Sequence, residues 1–195
     1  DVGARNTSVE ELISLQQHIN YIGFDADPEE VDRLNSKKTS FKQAKFISFY
    51  VGSNKSIVNF GIHHNGGESS VYPFNKNYNK WFRNGDENYI KKWVKLPSDT
   101  LDNLIKEDVD LIKLDTQGNE FEILKSSKKI LDTTLIVECE VEFLQMYEGQ
   151  KLAHDVFSLL HSRGFELLFL NRVFGQSAKF KGESRGQIIF ADALF

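Results

Sequence analysis

Asp1-Val2-Gly3-Ala4, answered further on by Tyr21-Ile22-Gly23-Phe24-Asp25, is the stretch that decides how this chain reads. The first segment has the pattern of a buried strand's end turning into a helix. Helical spacing follows at Val9, Leu12, Ile13 and Ile19, and Ser8 with Glu11 forms a capping box at its start. The second segment is a short strand that ends on an acid. Together they read as the first βαβ half of a nucleoside-binding sheet. Gly3 lets backbone approach a ligand, and an acid about 20 residues on can accept from both ribose hydroxyls.

An acid ahead of the glycine, with no G-x-G-x-x-G, is the wrong arrangement for a pyrophosphate cradle. The expected ligand is a nucleoside without phosphates, and S-adenosylmethionine fits. The apolar residues that should precede Asp1 in its strand are absent, so the first strand is expected to lack its start.

The chain has 195 residues, enough for one domain spanning 1–195 with a sizeable core. Its 40% hydrophobic and 27% charged content is ordinary for a globular protein. A net charge of −4 weighs against a general nucleic-acid binder. One cysteine, Cys139, excludes an internal disulfide and suits a reducing, cytoplasmic setting. No stretch approaches the roughly 20 apolar residues of a membrane span, and no signal peptide is visible.

Strand and helix signals alternate along the rest. Asp27-Pro28 starts a helix with a stripe at Val31 and Leu34. Phe46 to Val51 reads as a strand ending at Gly52-Ser53-Asn54, and Ser56 to His63 as another. Residues 64–95 show no clear period and read as an insert able to fold over a substrate. Its aromatic residues (Tyr72, Phe74, Tyr78, Trp81, Phe82, Tyr89 and Trp93) alternate with cations and suit covering a sugar ring. They suit equally a satellite cluster under a long loop. Ser98 caps a helix bearing Leu101, Leu104 and Ile105. Asp110 to Asp115 is a core strand, followed by Thr116-Gln117-Gly118 and a helix through Leu124 and Ile130. Leu135 to Val141 is the next strand, and Leu152 to Gly164 a long helix. Phe165 to Leu170 and Gln187 to Ala191 close the sheet, with one antiparallel strand near the edge. A polar loop from Arg172 to Gly186 carries Lys179, Lys181 and Arg185. The sum is an α/β, doubly wound, mostly parallel sheet.

Lys113-Leu-Asp115-Thr-Gln-Gly118-Asn-Glu120-Phe-Glu-Ile-Leu124 resembles the most distinctive segment of the FkbM-type methyltransferases. Asp1-Val-Gly-Ala looks like their first motif and Phe24-Asp25-Ala-Asp-Pro28 like their second. Thr100-Leu-Asp102, Glu140-Val-Glu142-Phe143, Tyr147 and Gly149-Gln150 are similar to further signatures, in the expected order over nearly the whole chain. The resemblance implies a Rossmann-like class I fold with strand order 3-2-1-4-5-7-6. It also implies S-adenosylmethionine as cofactor and methylation of a hydroxyl oxygen, on a sugar or another small metabolite. One departure stands out. Where the family usually has Asn and Gly, this chain has Arg5 and Thr7. Thr7 adds a Cβ where backbone passes near the cofactor, and Arg5 brings a cation towards a sulfonium unless it points away.

Ligands of such sheets bind beyond the carboxyl ends of the strands. Asp1, Gly3, Ala4, Asp25, Ala26, Gly52, Ser53 and Asp115 are the cofactor-binding candidates. Asp25 would take the ribose, Asp1 the amino-acid end. Asp115, Glu140 and Glu138 are the candidates for removing the acceptor's proton. Glu138, Glu140 and Glu142 share one face of a regular strand and are costly to bury unless they bind something; a solvated face explains them as well. Glu120 suits either a site or its helix dipole. His63 and His64 point to opposite faces, and no spacing suggests a metal. Two other classes stay open. One is a non-catalytic, methyltransferase-like binding module. The other is a nicotinamide-dependent oxidoreductase, against which the missing phosphate-binding glycines count.

Overall fold

The computed structural model describes residues 1–6, 10–81, 89–175 and 186–195. Several residues singled out in the sequence (Thr7, Ser8, Val9, Phe82, Lys179, Lys181 and Arg185) lie outside them, as do the side chains of Glu11, Leu12 and Trp81.

The larger sheet is built around Val2. This residue bridges Phe24 of β1 (Asn20–Asp25) on one side and Leu114 of β6 (Leu111–Leu114) on the other, both in parallel. β1 pairs in parallel with β2 (Gln43–Ser48), while β6 pairs in parallel with β7 (Ile136–Glu142). β9 (Gln187–Leu194) then runs antiparallel to both β7 and the outer β8 (Phe169–Gly175). A second, small sheet places β5 (Ile90–Asp99) between β3 (Tyr50–Val51) and β4 (Ser56–His63).

Period-two alternation sorts the larger sheet's faces. Ile112, Leu114, Val137, Cys139, Val141, Ala191 and Ala193 are buried on one face, against Ile123, Leu124, Val156 and Leu160. Those last four come from α4 (Glu120–Ser126) and α6 (Ala153–Ser162). Full burial of each large aliphatic side chain contributes roughly 1.5–3 kcal/mol, so this layer dominates the core. On the other face, Tyr21, Val31, Leu34 and Phe46 pack α1 (Pro28–Ser36) over β1 and β2. The alternation puts Lys113, Asp115, Glu138 and Glu140 on that second face, opposite the apolar layer.

Several boundaries differ from the sequence reading. Residues 10–18 form a 3-10 helix whose Ile13 is 58% exposed, so that residue's helical spacing serves no core stripe. The strand read as Phe46 to Val51 breaks at Phe49, whose N–H bonds Asp25 O; the chain then crosses to the small sheet. β5 starts at Ile90, inside the segment read as an aperiodic insert through residue 95, because it pairs antiparallel with β4. Tertiary pairing, not periodicity, makes that strand. The helix after it, α3 (Leu101–Leu104), is capped by Thr100 Oγ1, which accepts from Asn103 N; Ser98 instead sits in β5 and donates to Asn54 O. The helix expected through Ile130 is interrupted at Ser127, whose Oγ donates to Ile123 O, and resumes as α5 (Lys128–Leu131). β8 begins at Phe169, not Phe165, and takes in Arg172 from the segment read as a loop.

Candidate functional site

A cleft opens where the ends of β1 and β6 flank residues 1–3. Val2 N donates to Lys113 O and Gly3 N to Phe24 O, while Phe24 N and Asp115 N donate back to Asp1 O and Val2 O. This ladder brings Asp25 and Asp115 into one lining with Gly3 between them. Gly3 has φ +85°, and a Cβ there would lie 1.8 Å from Asp115 O. The glycine is therefore required by backbone packing against β6, a closer constraint than the ligand approach read from sequence.

Gly3, Asp25, Ala26 and Asp115 line the cleft; the other candidates lie elsewhere. Asp1 sits behind the lining, where its Oδ2 accepts from Tyr21 Oη at 2.6 Å and its Oδ1 is buried without a partner among the described residues. Ala4 is buried with Tyr21, Val31, Leu34 and Phe46. Gly52 turns into the small sheet, donating to Asp99 O, and Ser53 is exposed beyond it. Glu138 is held by Lys113 Nζ at 3.0 Å. Glu140 stands one residue behind the lining.

Asp25 accepts from Asp27 N at 2.8 Å through Oδ1, and no described residue engages its other oxygen. Burial pushes its carboxyl up to about 6, against the opposing pull of Asp27 N and the Arg5 guanidinium. Arg5 also lines the cleft, but its charge is turned to the acids of α1: 2.8 Å from Asp27 and 3.6 Å from Glu30. The cation expected to oppose a sulfonium is thus neutralised in place. Gly66 leaves room for it, since a Cβ there would come within 3.2 Å of the guanidinium.

Asp115 belongs to a network. Gln117 Nε2 donates to Asp115 Oδ1 at 2.8 Å and to Glu140 Oε2 at 2.9 Å, and Gln117 Oε1 accepts from Tyr147 Oη at 2.9 Å. Burial raises both carboxyls above their usual range, Glu140 the more, because Asp115, Glu142 and Glu120 crowd it with like charge. Glu120 has a structural duty: it accepts from Thr116 N, Thr116 Oγ1 and Gly118 N, and so holds the turn that leads into α4.

Several lining residues carried no functional reading in the sequence. Phe49, Tyr50 and Val51 come from the strand that breaks, Phe60 from β4, and Gly66, Gly67 and Ser69 from the segment after it. Lys113, Thr116 and Gln117 lie within the distinctive segment, and the turn after a buried strand was the available signal. Tyr72 is half-buried, while Phe74 and Tyr78 pack with Tyr147, Leu144 and Met146, a satellite cluster beside the network. Trp93 and Tyr89 are exposed.

No helix among the described residues is long and apolar enough to cross a membrane. Among curated proteins none matches this sequence. A solved structure, FkbM methyltransferase from Methylobacillus flagellatus KT, superposes with a TM-score of 0.53 at 12% identity. The match covers 98% of this chain and 42% of that one, so this chain spans less than half of its neighbour's length. That likeness speaks for the fold. The model of the methyltransferase FkbM domain matches residues 1–167, most of the chain, and the protein belongs to the FkbM methyltransferase family.

Proposed function

We propose that this chain transfers a methyl group from S-adenosylmethionine to a hydroxyl oxygen of a sugar or other small metabolite. One observation carries the reading: a single cleft is lined at one end by Asp25, with an oxygen to spare, and at the other by Asp115. The donor set suits a nucleoside without phosphates. Its cations, Arg5 and Lys113, are both paired with acids and leave no positive cradle for a pyrophosphate. That counts against the nicotinamide-dependent alternative.

When bound, the cofactor supplies a methyl group on a sulfonium sulfur, activated for displacement with the bonding pair left on sulfur. Asp25 would accept from the ribose hydroxyls, and Phe49, Tyr50, Val51 and Phe60, all in the lining, would offer the adenine ring an apolar wall. Asp1, with a buried unpartnered oxygen close to Gly3 in the chain, would be the acid to hold the ammonium group. Asp115 takes the acceptor hydroxyl's proton, with Glu140 behind it as the second member of an acid pair. The segment of Gly66, Gly67 and Ser69 forms the acceptor's wall. The 64–95 insert is thus the specificity element of one methyltransferase domain. The strand pairings around Val2 support the class I order 3-2-1-4-5-7-6, with the segment of residues 1–3 as its central strand. A single, buried Cys139 suits work in the cytoplasm.

Calorimetric titration with S-adenosylhomocysteine tests the reading. Binding by the wild-type chain that Asp25→Ala reduces at least about 100-fold, with the variant still folded, is the expected result. A folded wild-type chain that binds none overturns it. Binding without turnover on any hydroxyl acceptor selects the non-catalytic module instead.

A further inference from the structure

We infer that Gln117 is a positioning residue: its side-chain amide clamps the carboxyl groups of Asp115 and Glu140 into one proton-accepting unit at the cleft. The inference deepens the methyl-transfer reading and rests on it for the identity of the proton donor. The clamp itself rests on geometry alone.

Both hydrogens of the Gln117 amide are committed, one to Asp115 Oδ1 at 2.8 Å and one to Glu140 Oε2 at 2.9 Å. The two acceptor oxygens therefore lie no further apart than the sum of those lengths. Behind it, Oε1 faces the buried Tyr147 Oη at 2.9 Å, whose one hydrogen is shared with Glu68 O at 3.0 Å; a flipped amide would turn its oxygen towards two acids. The backbone is anchored as well. Ser70 Oγ donates to Gln117 O at 2.7 Å, which ties the clamp to the segment forming the cleft's wall. Gln117 also holds φ +58°, the one positive value on a non-glycine residue among those described. A side chain with three hydrogen bonds offsets the strain of that conformation, and such strain gathers at sites where geometry matters.

Other charges surround the pair. From β6 comes Lys113, tied to Glu138 of β7; from β9 comes Asp192, opposite Glu140 in the ladder. Glu142 and Glu120 add like charge from β7 and α4, and Tyr147 and Tyr78 lie within the electrostatic reach of Glu140 and of Glu68. Burial and this acidic setting favour protons on the pair, most on Glu140, and the Gln117 amide opposes that at Asp115. Two charge-assisted hydrogen bonds stabilise its ionised form and hold one carboxylate ready to take a proton from a substrate hydroxyl.

The test is a carboxyl titration by difference infrared spectroscopy, on chains without cofactor, comparing wild type with Gln117→Leu and Tyr147→Phe. Asp115→Asn and Glu140→Gln assign the bands. Loss of the two donors in Gln117→Leu should move the pair's titration upward by about one unit or more, and Tyr147→Phe, which frees the amide to turn, by less. If both folded variants titrate as wild type does, the clamp is overturned. If Gln117→Leu does not fold, Tyr147→Phe alone decides: an unchanged midpoint overturns the proposal and a raised one supports it. S-adenosylhomocysteine titration on the same samples separates the two readings. Absence of binding by the folded wild type would sink the methyl-transfer reading and leave the clamp to be judged by its own midpoint.

Discussion

Asp25 and Asp115 end two strands that flank the same residue, Val2, and both line the same cleft, yet they are held in opposite ways. Asp25 stands nearly alone: one backbone N–H on one oxygen, and a guanidinium that prefers Asp27 and Glu30. Asp115 is one member of a network with Gln117, Glu140 and Tyr147. A solitary buried acid is tuned by desolvation and titrates as one group. A networked acid titrates with its neighbours, and its proton belongs to the set. The first arrangement suits accepting hydrogen bonds from a ligand, the second holding a proton during a reaction.

The comparison depends on the two strands meeting across Gly3, and the largest expected effect is there. Gly3→Ala places a methyl group 1.8 Å from Asp115 O on a backbone at φ +85°, so it should cost on the order of 4 kcal/mol or abolish folding. Chemical denaturation checks this. A loss below about 1 kcal/mol would mean that the strands do not pack as closely as described.

Asp25 sharpens the contrast through pH. Its folded pKa of about 6 lies above the ordinary 3.8, so the folded chain holds this proton where the unfolded chain has released it. Its charge therefore opposes folding increasingly from pH 3.8 to about 6, and fully above that. Asp25→Asn should leave the melting temperature at pH 7.5 unchanged or raised while removing cofactor binding. In the wild type, S-adenosylhomocysteine affinity should fall by close to about tenfold per unit as pH drops below about 6. A pH-independent affinity between 5 and 8 would show that Asp25 is not the acceptor.

The smallest effect belongs to a residue that the sequence pattern made look important. Ile13 is 58% exposed, so Ile13→Ser should change stability by no more than about 0.5 kcal/mol. A thermal melt that drops by several degrees would return that residue to the core.

Short-range signals proved legible wherever their cause is local. Asp27 caps α1 with its own carboxylate, Pro28 occupies the first turn, and Val31 and Leu34 are buried as their spacing implied. The alternation of Val137, Cys139 and Val141 with Glu138, Glu140 and Glu142 also followed from the chain's own period. Elements that exist only through a partner were read less well. β5 owes its start to β4, the break at Phe49 to a hydrogen bond with Asp25, and Ser98 left its expected cap for Asn54.

The site divides along the same line. The sequence by itself determined the acids at the strand ends, the glycine between them and the turn after β6, because strand ends, tight turns and caps draw on a few neighbouring residues. Only the tertiary structure decided which acids share a cleft, that Arg5 is spent on Asp27 and Glu30, and that Gln117 joins Asp115 to Glu140 under Tyr147. Apart from Gln117 with Asp115, those contacts link residues far apart in the chain, and no local period records a partner that distant folding brings near.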